Sequence, residues 1–200
     1  MSRLLSDRAD NTNQVVVLPS ALEDPTKSPP GLYRVGLLTA CISISAFFIA
    51  LVIAYYWRKL TPPFWEPVPI PKTLLLSTIL IVVSSATFET ARQLFRRGRY
   101  RMASHFLLVT ASLGMAFLAS QLTAWRSLVM HGAFLARNPH SSFFYIFTGL
   151  HAAHLIGGLV LLFVVVLGAS KRRELVDVAT QYWHFLGVLW LVLYYVLMTA

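Results

Sequence analysis

His151 and His154 are the side chains best able to do chemistry in this sequence, and both lie where imidazoles are rare. They sit inside Ser141–Ala169, a run of 29 residues without Asp, Glu, Lys or Arg. About 20 apolar residues, at ~1.5 Å each, span the hydrocarbon core of a bilayer, so this run predicts a transmembrane helix. An imidazole at that depth is costly unless it faces protein, lipid headgroups or water. His151, His154 and Gly158 are spaced i, i+3, i+7 and share one helical face. Gly149, Ala153 and Gly157, at i, i+4, i+8, form a small-residue strip on a largely different face. Such strips let helix backbones approach closely in lipid. One side of the helix is therefore expected to pack against a neighbour. The other offers imidazoles to lipid, water or a further helix.

Ligation of a metal or haem is the chemistry to weigh first. His105 and His184 could face each other at equal depth on two helices and hold a b-type haem. The other reading has them capping helix ends, bonding across helices or meeting headgroups. That second reading is favoured, because nothing pairs His151 or His154 with a partner at the same depth. His131 and His140 have no acid or Cys beside them, so a metal-ligand set is missing. Cys41 is the only cysteine. It excludes an internal disulfide, a CxxCH haem attachment and an iron–sulfur ligand set, and reads as a small buried hydrophobe.

Of eight acids, only Glu89 falls inside an apolar segment, near its end. A pump or secondary transporter keeps ionisable groups near the midplane, which this sequence does not. Glu89 is expected to pair with Arg92, three residues on and on the same face; the competing reading is an entry to a proton or cation path. Gln121 precedes Trp125 and Arg126 by about one turn. The latter two read as interface anchors, and Gln121 is expected to hydrogen-bond across to another helix. Ala116, Ser120 and Ala124 repeat the small-residue spacing, so this helix is also expected to pack tightly.

These residues need membrane helices to hold them, and composition supplies them. Hydrophobic residues make up 56% of the 200 and charged residues 12%, an unlikely surface for a soluble domain. Five apolar segments are expected: Leu32–Trp57, Thr73–Ala91, Ala103–Trp125, Ser141–Ala169 and Gln181–Thr199. Residues 1–31 are polar and proline-bearing and read as a disordered tail, leaving 32–200 as an all-α domain of five transmembrane helices. Five prolines between Pro62 and Pro71 favour an extended strap at the membrane surface. Twelve Lys and Arg fall in the tail and in the loops around Arg97 and Arg172, against five on the opposite side. The positive-inside rule then places the N-terminus in the cytoplasm and the C-terminus outside. The net charge of +9 fits cationic loops at an anionic leaflet better than nucleic acid.

The segments NPHSSFFYIFTGLHAAHLIGGLVLL and QYWHFLGVLWLVLYYVL carry a family pattern. It is a Thr-Gly-x-His-x-x-His-x-x-x-Gly helix, a basic loop, then a helix opening Tyr182-Trp183-His184-Phe185. With Ser84-Ser85-Ala86-Thr87 and Leu113-Gly114-x-x-Phe117-Leu118-x-x-Gln121, the sequence resembles subunit III of the haem–copper cytochrome c oxidases, in the short bacterial form. The resemblance covers roughly Leu32 to the end. It implies an accessory, non-catalytic subunit of the bacterial cytoplasmic membrane. Such a subunit binds no haem or copper itself, packs beside subunit I in a complex that includes subunit II, and holds phospholipid. On that reading His151, His154, Gly158, Glu89, Arg92, Gln121, Trp183 and His184 are lipid or helix-interface residues, and Gly149, Ala153 and Gly157 serve helix packing. A close alternative within the resemblance is the subunit-III-like protein of nitric oxide reductase systems. The sequence departs from the family at one point: where many members carry a Ser-Glu pair in the first span, this one has Ser43-Ile44.

Overall fold

The computed structural model describes residues 32–61, 71, 73–130, 139–168 and 173–199. The expected tail, most of the proline strap, His131, Lys171 and Arg172 lie outside the described residues. Within them the chain forms α1 (Leu32–Leu60), α2 (Thr73–Arg96), α3 (Tyr100–Met130), α4 (Pro139–Gly168) and α5 (Arg173–Met198). All five are long and apolar enough to cross a membrane. The described residues are thus built on five helices, and the chain is a multi-pass membrane protein.

Four expected spans agree with these helices to within a few residues at each end. The fifth starts at Arg173 rather than near Gln181. Glu174 and Asp177 lower the hydropathy of the first two turns, which pushed the expected start late. Those turns nonetheless bury Val176, Val178, Ala179 and Thr180. Asp177 is held there by arginines of α2, so its charge does not break the helix.

Close backbone contact joins α2 to α3, α3 to α4, α4 to α5 and α5 back to α2. These four helices make a closed ring, with α3 diagonal to α5 and α2 diagonal to α4. The turn between α2 and α3 is short. The Arg99 N–H donates to the Leu94 carbonyl at 2.9 Å and the Gly98 N–H to Phe95 at 3.1 Å. This is the hydrogen-bond pattern of a Schellman end, which needs a left-handed residue. Gly98 supplies it at φ 76°.

The ring is apolar outside and partly polar inside. Leu75, Leu76, Ile79, Val82 and Val83 of α2 face outward, whereas Ser77, Ser84, Thr110, Ser120, Gln121 and His151 are buried. In water this arrangement would be inverted. In lipid, association depends on packing and hydrogen bonds between helices, so small and polar residues belong at the interfaces. Pairs of hydroxyls bridge the helices: Ser77 with Ser120 at 2.7 Å and Thr87 with Thr110 at 2.8 Å join α2 to α3.

α1 lies against this ring without close backbone contact and is attached through long side chains. Tyr55 is fully buried and meets Phe143 edge-on at 5.6 Å and Phe147 at 5.8 Å, both on α4. At the same end Tyr56 shares a 3.0 Å hydrogen bond with Thr199, and Lys59 donates to the Thr199 carbonyl. The opposite end of α1 is exposed from Leu32 to Gly36.

Candidate functional site

The fold brings four helices together on Trp183. Its indole is fully buried, and its N–H donates to Ser84 Oγ on α2 at 3.0 Å. Its ring edge meets Phe88 of α2 at 6.0 Å. On α3, a Cβ placed at Gly114 would lie 2.8 Å from Trp183 Cη2. On α4, one placed at Gly158 would lie 3.1 Å from Leu186 Cδ1 and 3.4 Å from Trp183 Cε3. The two glycines form a cradle that only a missing side chain leaves open. A residue of α5 thereby sets the spacing of α2, α3 and α4.

One to two turns along α5, toward the Met198 end, a second aromatic layer holds His151. The His151 ring centroid lies 5.1 Å from that of Trp190 and 5.7 Å from that of Phe117. Trp190 donates its N–H to Thr78 of α2 at 3.1 Å. One turn further along α3 from Gln121, Trp125 donates to Thr148 of α4 at 3.0 Å. His151 and Gln121 are both buried, at 0% and 1% exposure. Sequence spacing put His151 and His154 on one face, and the structure separates their surroundings. His154 is half-buried, bonds the Leu150 carbonyl through Nδ1 at 2.7 Å, and meets the Phe48 ring of α1 at 5.8 Å. Ile44 packs at the edge of the core one turn before Phe48. On α1, His154 thus meets an aromatic ring rather than a carboxylate.

The small-residue strip of α4 is divided within this chain: Gly149 lies against Trp125 of α3, and the rest of the strip faces outward. Ala153 and Gly157 are exposed, and nothing lies within 4 Å of a Cβ placed at Gly157. At Gly149 the nearest atoms are those of Trp125, at 3.8 Å. Within this chain the close helix approach uses Gly158 and its face, not the strip. The physical reason is that both faces are made of small and apolar residues, so spacing alone cannot say which one turns inward.

Polar residues gather at the end of the ring where α2 meets the start of α5. Glu89 accepts from Arg92 at 2.9 Å, as the local spacing predicts, and from Gln93 at 3.3 Å. It also lies 3.5 Å from His184 Nε2. Asp177 takes Arg92 Nε at 2.8 Å and Arg96 at 3.0 Å, fastening α5 to α2. Sequence reasoning missed Asp177 because its partners lie more than 80 residues away. His184 is thus engaged by Glu89, while His105 is exposed on α3, the helix diagonal to α5. Nothing in the described bundle favours the haem-ligation alternative over the helix-end reading. Among the described residues no group of three or more His, Cys, Asp or Glu could hold a metal ion.

The sequence profile that matches this chain, over residues 26–199, is that of cytochrome c oxidase subunit III. The chain belongs to that family. Among its relatives is cytochrome c oxidase subunit 3 of Synechocystis sp., 29% identical over 82% of this chain and 74% of the relative. The probable cytochrome c oxidase subunit 3 of Mycobacterium bovis is 28% identical over 84% of this chain and 88% of the relative. Cytochrome c oxidase subunit 3 of Lycodon semicarinatus is 29% identical over 80% of this chain and 67% of the relative. In this chain Trp183 and His151 are buried within the helix ring, whereas His154 is half-buried and faces Phe48 of α1.

Proposed function

We propose that this chain is the accessory, non-catalytic subunit of a haem–copper terminal oxidase, in which it packs beside subunit I and holds phospholipid. The complex reduces oxygen to water with proton translocation in aerobic respiration. Haem and copper belong to the partner subunits I and II. The observation that carries this reading is how the buried polar residues are used. Trp183, His151, Gln121 and the hydroxyl pairs lie inside a helix ring filled by aromatic rings, which is a scaffold's interior. Proton and electron chemistry would then be left to the partner chains.

Support for lipid comes from α1. Its loose attachment leaves a groove of about 300 Å³ against α5, lined by Phe48, Ile49, Val52, Val188, Leu189 and Val192. A groove with almost no polar lining suits an acyl chain. The membrane we propose is the bacterial cytoplasmic membrane. Arg92, Arg96, Arg97, Arg99, Arg101 and Arg173 share one end of the bundle, which the positive-inside rule assigns to the cytoplasm. The N-terminus then lies in the cytoplasm and the C-terminus outside. No observation favours the nitric oxide reductase reading.

Deleting the chain from its host should separate these roles. The oxidase purified without it is expected to keep its haem absorbance and its initial rate. It should lose activity sooner under sustained turnover and carry less phospholipid. Loss of haem absorbance at once, or an unchanged turnover lifetime and lipid content, would contradict the proposal.

A further inference from the structure

Two polar side chains inside the ring have no hydrogen-bond partner among the described residues: both side-chain polar atoms of Gln121 and both ring nitrogens of His151. Both residues are essentially unexposed. Buried polar groups are nearly always satisfied, and an isolated exception points to an ordered water or other small polar ligand. Around them many interior polar groups are paired across helices, through Ser77–Ser120, Thr87–Thr110, Ser84–Trp183, Thr78–Trp190 and Trp125–Thr148. Thr73 Oγ1, in the first turn of α2, is a further unpaired atom.

The two orphans are neighbours in register on antiparallel α3 and α4. The Phe117 ring meets His151, and Trp125 bonds Thr148. Gln121 lies midway between Phe117 and Trp125, one helical turn from each, and His151 lies three residues beyond Thr148. On α3 these two contacts flank Gln121, and the first of them places His151 of α4 against Phe117, one turn from Gln121. Their bonding capacities are complementary. A neutral imidazole has one donor and one acceptor nitrogen, and a carboxamide has two N–H donors and a carbonyl acceptor. An internal water takes two to four such partners.

We propose that Gln121 and His151 together hold an internal water molecule that links α3 to α4 beside the Phe117–Trp190 aromatic layer. The site is built from this chain alone and does not depend on which complex the chain joins. It gives the imidazole of α4 a structural task, satisfying a polar bridge in the membrane interior.

The test uses the full chain, purified with whatever chains accompany it. Gln121→Leu and His151→Leu each strand the water's other partner, so each should lower the unfolding midpoint. Together they remove both ends of the bridge, so the double variant should fall by clearly less than the sum. A density map that shows ordered waters should place one within hydrogen-bond distance of both side chains. Additive losses would overturn the proposal, as would a map in which the two side chains touch directly with no water between them. If leucine at 151 prevents accumulation, Gln121→Met with His151→Phe completes the same cycle.

Discussion

Leucine at position 114 will loosen the helix ring, and the loss will trace to Trp183. Even the first added carbon would lie 2.8 Å from Trp183 Cη2 and 3.1 Å from Leu159 Cδ2. The indole has little freedom to retreat. Its N–H is tied to Ser84 at 3.0 Å, and its other side rests over Gly158. Overpacking a tight interior costs about 1–3 kcal/mol, and more where the obstructing group is held in place. Gly114→Leu should therefore lower the denaturant midpoint of the full chain in detergent, with Gly114→Ala less affected. The variant Trp183→Phe removes the atoms that the new carbon meets, so Gly114→Ala should cost less on that background. Equal losses on both backgrounds would mean that the glycine is not there for the tryptophan.

Removing the carboxylate of Asp177 should produce the second large effect. Asp177 receives both Arg92 and Arg96 and fastens α5 to α2, with only 18% of its side chain exposed. Asp177→Ala leaves Arg92 with Glu89 alone and deprives Arg96 of its partner. Stranding a partly buried charged group costs on the order of 1–3 kcal/mol. Asp177→Asn should recover part of that loss, since its carbonyl still accepts one guanidinium bond. Among the arginines, Arg92→Ala should cost more than Arg96→Ala. Arg92 bridges two acids, whereas the Arg96 side chain is 54% exposed and its ion pair is screened by water. Unfolding midpoints of the four variants check this order. An unchanged midpoint for Asp177→Ala would remove the ion pair from the account of how α5 is held.

Much of the fold could be read from the sequence because span length and hydropathy are local properties. Glu89 with Arg92 was legible for the same reason: three residues of separation on a helix fix their proximity. Asp177 was not, because nothing local links it to Arg92. The apolar strip on α4 shows a further limit. In a soluble helix, polarity tells inside from outside. In lipid both sides are apolar, and Gly149, Ala153 and Gly157 looked as suited to packing as Gly158 proved to be. The partition of the histidines escaped for a related reason. His151 and His154 are one turn apart, yet one meets Phe117 and Trp190 in the ring while the other meets Phe48 of α1. Which helix lies over each could be learned only from the assembled bundle. Trp183 stood out through the family pattern, but its partners Ser84 and Gly114 emerge only when α2 and α3 close on α5.

Gentle detergent extraction of the chain from its native membrane, with every co-purifying chain identified and optical spectra taken before and after dissociation, is the most direct test of the accessory-subunit role. The chain should arrive with a haem-bearing oxidase large subunit, and the haem absorbance should stay with that subunit when the two are separated. Purification alone as a stable monomer, or a strong Soret band on the separated chain, would contradict that role.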